Sequence, residues 1–231
     1  MSDQTGILIF THSANRELKK IPQSAELFEA LNSDILRKVE KIKQDYFVYD
    51  EQKQVGNTFG EKITNAVESI FQKGYQFVIT VGNDTPELSV NQLRKAVQNS
   101  SEGKLTFGPS TDGGFYLMTF DKAHFDKEKY ASLNWTTRSL AKEFITSIQT
   151  EQIIFLQYLQ DIDFAKDLLH FGNQHDRLSE LVREVLLRIL VKKHSFYSKS
   201  VYLRNTFNHR ISYNKGSPLQ FYRLLSGYSS L

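Results

Sequence analysis

The chain of 231 residues contains no cysteine, one tryptophan, two methionines and only four prolines. Without thiols it can hold no disulfide scaffold, no thiolate metal site and no cysteine nucleophile. No segment approaches the roughly 20 consecutive apolar residues of a helical membrane span. The start, Met1 to Phe10, lacks the basic region of a secretion signal. A cytoplasmic protein with no membrane span is the expectation. Walker-type and Gly-x-Ser-x-Gly loops are absent, and the six histidines show no paired helical spacing, so no zinc site is expected.

Aromatic residues, by contrast, reach 13%, with 17 Phe and 11 Tyr. That content, with 40% hydrophobic residues, supports a large folded core and argues against a disordered chain. The net charge of +3 is unevenly spread. From Phe171 onward ten basic residues face three acidic ones, so the body before it is net acidic and the C-terminal segment is basic.

Apolar periodicity alternates between two kinds along the body. Gly6–Phe10, Tyr46–Tyr49, Gln76–Val81, Lys104–Phe107, Phe115–Phe120 and Ile153–Leu159 read as strands. Between them, Leu27, Leu31, Ile35, Val39 and Ile42 mark a helix from Ser24 to about Gln44. Thr58-x-x-Glu61 and Ser89-x-x-Gln92 have capping-box spacing and open two more helices, the first ended by Gly74. Thr137–Ile148 and Phe164–Phe171 complete the set. Strands alternating with helices imply βαβ units and a mainly parallel sheet. Residues 1–172 form the expected α/β domain. Residues 173–231 are an extension with a strong helix through Leu178, Val182, Val185, Leu186 and Ile189, then a Tyr-rich basic stretch. Its apolar face favours packing on the body, or a homo-oligomer contact, over nucleic-acid binding.

Three acidic segments follow strands. Asp84 stands in Gly82-Asn83-Asp84-Thr85-Pro86, directly after the strand ending at Val81. Ligands of open parallel sheets bind beyond the carboxyl ends of strands, where a carboxylate can hold Mg²⁺ or Mn²⁺ shared with phosphates. A turn before the next helix is the other reading. Asp112 precedes Gly113 and Gly114, which permit close backbone approach to a ligand or an ordinary hairpin turn. Asp161 and Asp163 alternate after an apolar strand, so one or both can complete a cation site, while Asp163 can equally cap a helix.

Beyond these readings, several segments resemble a known family. Gly82 to Leu88 resembles the G-S-D-C-P-x-L motif of the radical-SAM/selenodomain-associated transferases, a family of nucleotide-diphospho-sugar transferase-like proteins with the GT-A fold. Gly108 to Met118 is similar to its G-P-x-x-D-G-G-Y-Y-L-I, Gln54 to Lys62 to its Q-x-x-G-D-L-G-E-R, Trp135-Thr136-Thr137 to its W-S/G-T element, and Asp161-Ile162-Asp163 with Asp167 to its D-x-D-T-P-E-D. The matches run in order from about Gly6 to Phe171.

This resemblance implies a Rossmann-like GT-A sheet, mixed and mainly parallel, flanked by helices. It implies a metal-dependent glycosyl- or nucleotidyltransferase using a nucleotide-activated donor and an unknown acceptor, with Mg²⁺ or Mn²⁺ as cofactor. Asp84 and Asp112 are then the catalytic candidates, and Asp84 and Asp163 the metal ligands. His12, Arg16, Lys19, Asn83, Gly113, Gly114, Trp135 and Thr136 are candidate substrate or nucleotide contacts. Two departures stand out: the segment Thr11–Lys20 lacks the family's glycine-bearing phosphate loop, and Thr58 replaces an Asp. They keep open the alternative of a catalytically degenerate GT-A-like module that binds a ligand or partner.

Overall fold

The computed structural model describes residues 4–13, 25–135, 137, 140–147, 152–164, 166–173 and 177–191. Six strands form one sheet: β1 (Thr5–Phe10), β2 (Tyr46–Tyr49), β3 (Phe77–Val81), β4 (Leu105–Pro109), β5 (Phe115–Asp121) and β6 (Ile153–Phe155). Their order across the sheet is β2-β1-β3-β5-β4-β6. All neighbouring pairs are parallel except the two made by β5, which runs against β3 and β4. The sheet is therefore mixed and mainly parallel, as expected. The carboxyl ends of β1, β2, β3, β4 and β6 share one edge. There the chain's crossovers diverge, β2 lying to one side of β1 and β3 to the other.

The helices are α1 (Ala25–Glu40), α2 (Phe59–Phe71), α3 (Val90–Ser101), α4 (Lys127–Ala131), α5 (Leu140–Ser147), α6 (Asp167–Asn173) and α7 over 180–191. Both capping boxes form: the Thr58 and Ser89 hydroxyls accept from the backbone N–H groups of Glu61 and Gln92, whose side chains accept from the cap backbones. Each such cap contributes about 1 kcal/mol and fixes where α2 and α3 start. The first of them thereby places Phe59 at the sheet edge.

Several boundaries differ from the periodicity. α1 ends at Glu40, because Lys43 takes a left-handed φ of 61° that stops the helix before Gln44. The strand expected over Ile153–Leu159 pairs only to Phe155; Leu159 rejoins through a single bridge to Ser110. Asp163 caps no helix. α6 begins at Asp167, whose carboxylate accepts from the backbone N–H groups of Asp163 (3.1 Å) and Phe164 (2.7 Å).

Strand alternation divides the core. Leu8, Phe10, Val78, Phe107, Met118 and Phe120 face α2, α4 and α5. Ile7, Ile9, Ile79 and Val81 face the other way, onto Ile35 and Val39 of α1 and Leu93 and Ala96 of α3. The far side of α1 carries Leu27, Phe28 and Leu31, which pack with Leu168 and Phe171 of α6, with Leu178, and with Val182, Val185 and Leu186 of α7. The apolar face read in the extension thus packs on the body. Residues 174–176 and 192–231 of that extension lie outside the described residues, as does the expectation of an oligomer contact there.

Gly60 is the closest approach between α2 and α4. A Cβ there would stand 2.2 Å from the Ala131 carbonyl oxygen and 2.8 Å from the Trp135 ring. Gly60→Ala must push backbone or indole aside, and such overpacking costs about 1–3 kcal/mol. The expected result is a melting temperature lower by roughly 5 °C, with a shift in the emission of Trp135, the chain's single tryptophan. An unchanged melt and spectrum would refute this contact.

Candidate functional site

A cavity of about 360 Å³ opens where the strand ends diverge. β1 delivers Thr11 and His12 to it; β3 delivers Gly82, Asn83 and Asp84. The β4–β5 turn brings Asp112 and Gly114, and the segment after β6 brings Asp161 and Asp163. Four carboxylates from three separate segments therefore line one space, with Phe10, Phe59, Met118 and Trp135 as an apolar wall.

Backbone ties hold these segments in place. Ile162 N donates to Asp84 O at 2.8 Å, Thr111 N to Leu159 O at 3.0 Å, and Leu159 N to Pro109 O at 3.2 Å. Lys38, paired to Asp34 at 2.6 Å, also donates to the Pro86 carbonyl at 2.7 Å, which anchors the Asp84 loop onto α1. Gln54 is buried, and its side-chain amide donates to the carbonyls of Thr11 (2.8 Å) and Tyr49 (3.2 Å). That fastens the ends of β1 and β2 together and gives the glutamine of the Gln54–Lys62 segment a structural task.

Asn32 of α1 is a hub that the sequence did not reveal. Its side-chain oxygen accepts from both the Thr11 hydroxyl and the Asn83 amide, each at 2.7 Å, and its own amide donates to the His12 carbonyl at 3.2 Å. Asn83 is therefore oriented by protein. Ser13 donates to Glu51 through its backbone N–H at 2.8 Å and through its hydroxyl. The Ser13 hydroxyl, together with its backbone N–H and the nearby His12, holds the Glu51 carboxyl down at about 2.

Asp161 is the most perturbed acid of the site. Burial, then the neighbouring Asp84 carboxylate, push its pKa up to about 8; the hydroxyls of Ser110 and Thr85 pull the other way, and Asp112 adds to the rise. The Thr85 hydroxyl donates to it. Tyr116, also at the cavity, donates to the Gln157 carbonyl at 2.9 Å, and burial raises its phenol pKa, so it stays protonated.

The other sequence candidates fall variously. Gly114 N donates to Asp112 Oδ1 at 3.0 Å, closing an Asx-type turn that aims the carboxylate. Gly113 supplies the left-handed φ of 100° which that turn requires and lines a neighbouring groove beside Ala141 and Tyr158 instead of this cavity. Trp135 walls the cavity, but its indole N–H is engaged with the Tyr130 carbonyl at 2.7 Å. It can therefore offer a ligand its ring face and no hydrogen bond. Arg16, Lys19 and Thr136 lie outside the described residues.

No group of three His, Cys, Asp or Glu side chains among the described residues is gathered tightly enough to hold a metal ion unaided. The donors present are hard carboxylate oxygens, which suit Mg²⁺ or Mn²⁺. Mg²⁺ in particular is usually held by one or two carboxylates, with substrate phosphates and water completing the shell. The donor set fits a cation of that shared kind.

A comparison with a solved structure agrees with this architecture. No curated protein sequence matches the chain. A crystal structure from Desulfovibrio desulfuricans G20, assigned to the nucleotide-diphospho-sugar transferases, superposes with a TM-score of 0.67 at 20% identity, covering 80% of this chain and 94% of its own. The 4-diphosphocytidyl-2C-methyl-D-erythritol synthase of Anaerococcus prevotii DSM 20548 gives 0.49 at 14% identity, over 75% and 97%. Rv0371c of Mycobacterium tuberculosis H37Rv, crystallised with manganese, gives 0.45 at 13% identity, over 72% and 96%. Among the described residues no helix is long and apolar enough to cross a membrane. Residues 30–137 match the model of the family described as "Uncharacterized protein conserved in bacteria (DUF2064)", and the chain has a GT-A-like fold, the mixed and mainly parallel sheet flanked by helices that it shares with the Desulfovibrio desulfuricans G20 structure.

Proposed function

We propose that the protein is a metal-dependent transferase acting on a nucleotide-activated donor, and that its catalytic part lies within residues 1–172. The observation that carries this reading is the meeting of Asp84, Asp112, Asp161 and Asp163 over one cavity at the diverging strand ends. Carboxylates so gathered repel one another, and a site that keeps them is suited to a cation. Asp84, Asp161 and Asp163 are the residues that would hold Mg²⁺ or Mn²⁺. When bound, the ion would offset negative charge on the donor's leaving phosphate.

The chain's own groups do the rest. Asn83, fixed by Asn32, presents a polar side chain to the donor beside Asp84. In the transfer an acceptor hydroxyl oxygen forms a bond to the electrophilic atom of the donor. The bond from that atom to the leaving phosphate breaks with its electron pair on the phosphate oxygen, and the hydroxyl proton passes to a carboxylate. Asp112, exposed and oriented by the Gly114 N–H, is placed to receive it. The aromatic wall excludes water from one side of the reacting atoms. Arg16 and Lys19 follow β1 in sequence, and we assign them to the donor phosphates.

The test is thermal shift against a panel of nucleotides and sugar nucleotides, with and without Mn²⁺. A ligand at about 100 times its Kd should stabilise by about 2.7 kcal/mol, a rise of several degrees. That rise should require the metal and vanish in Asp84→Ala. If no nucleotide moves the melt under either condition, the alternative of a non-catalytic GT-A-like binding module takes its place.

A further inference from the structure

A second cavity, of about 620 Å³, lies against the first. It is lined by Thr58, Gly60, Glu61, Glu128 and Asn134, and it shares Phe59 and Trp135 with the acidic cavity. The two aromatic rings therefore border both spaces. They stand 5.4 Å apart at 50°, and Phe59 also meets Phe10 at 5.6 Å. Phe59 is 42% exposed, although it is a large apolar side chain at the first position of a capped helix. The cap at Thr58 and the tight seat of Gly60 under Trp135 hold this pair in place.

The arrangement sets the outer cavity beside the acidic one, with the same two aromatic rings bordering both. Its chemistry selects among acceptors. Aromatic faces with polar neighbours suit a ligand that has an apolar face and hydroxyls at its edge. Glu128, exposed at the outer cavity, and the aspartates at the inner one set up a negative field, which repels an anionic acceptor and admits a neutral or cationic one.

Resting on the transferase reading above, we infer that the outer cavity is the acceptor subsite, and that the acceptor is a neutral or amino-bearing saccharide stacked on Phe59 and Trp135. A phosphorylated acceptor is disfavoured by the same field. The reaction is then glycosyl transfer: the saccharide hydroxyl bonds to the donor sugar's anomeric carbon, that carbon's bond to the nucleoside diphosphate breaks with the electron pair on phosphate, and the hydroxyl proton goes to a cavity carboxylate. Nucleotidyl transfer to a sugar phosphate would bring a second anion past Glu128.

Trp135 supplies the readout, being the chain's single tryptophan. Its emission would be titrated with methyl glycosides, with 2-amino-2-deoxy sugars and with the corresponding sugar 1-phosphates, in Mn²⁺ and a nucleoside diphosphate. The first two classes should bind at least tenfold more tightly than the phosphates. Phe59→Ala should weaken them at least tenfold, and Glu128→Lys, a change at an exposed position, should narrow or reverse the discrimination against the phosphates. Equal or tighter binding of sugar phosphates to the unaltered chain overturns the inference, as does silence with every saccharide. Saccharide binding that persists while no nucleotide binds overturns the transferase reading and leaves the saccharide site standing.

Discussion

The Asp161→Asn variant is expected to melt at the same temperature as the unaltered protein near pH 4 and clearly above it at pH 8, in chelator-treated samples. The ordinary value for this carboxyl is 3.8, and in the folded chain it is pushed up to about 8. Below the first value both folded and unfolded states hold the proton, and the residue contributes no slope. Between the two values the folded state holds the proton and the unfolded state has released it. The folded state then binds more protons, so stability falls as pH rises. Above about 8 the loss is complete and the curve flattens. Each pKa unit is worth about 1.4 kcal/mol, so the full loss is on the order of a few kcal/mol, or roughly 10 °C at this chain length.

Asparagine keeps an oxygen to accept from Thr85 but has no charge to lose, so the slope should disappear with it. The burden is shared with Asp84, whose charge is the second cause of the rise, and Asp84→Asn should remove part of the slope. Mn²⁺ should raise the melting temperature more at pH 8 than at pH 5, because a cation favours the ionised pair. An identical slope in the wild type and Asp161→Asn would show that this half-buried carboxyl is not crowded by Asp84. The window is separate from that of Glu51, whose lowered pKa of about 2 places its stabilisation above its ordinary value of 4.5 and its loss at more acidic pH.

These groups were unequally visible in the sequence. The strands of the body and the two capping boxes are local patterns, set by alternation and by residues three apart, so Thr58 and Ser89 could be read directly. Asp84 and Asp112 could be read too, since strand ends and Asp-Gly turns are local. What the sequence left open was which of Asp161 and Asp163 is the crowded acid. Alternation points Asp161 and Asp163 the same way only in an extended strand, whereas β6 stops at Phe155 and the chain reaches Asp161 irregularly. Asn32 was invisible for another reason. It sits in a helix, and its partners Thr11 and Asn83 lie 21 and 51 residues away. No periodicity encodes that convergence. The outer cavity escaped likewise, because Phe59 and Trp135 meet only once α2 and α4 pack through Gly60.

Phe144→Ala is expected to be the most damaging single truncation near the site. Phe144 is 1% exposed and is the ring on which the aromatic cluster converges. It meets Phe107 at 5.4 Å, Phe120 at 5.7 Å, Phe115 at 6.0 Å and Trp135 at 6.3 Å, and stacks on Tyr130 at 5.0 Å and 24°. Removing a buried phenyl costs about 3–5 kcal/mol, the transfer term plus the cavity left behind. At 2–4 °C per kcal/mol the melting temperature should fall by roughly 10 °C. The loss should also reach the ligand cleft, since Tyr130 accepts the indole N–H of Trp135 and Phe144 supports both rings. Trp135 emission should shift and its collisional quenching should rise, whereas Phe144→Leu should recover most of both. A melt lowered by less than about 2 °C, with Trp135 emission unmoved, would mean that this cluster neither carries the α5 face of the core nor holds the aromatic wall in place.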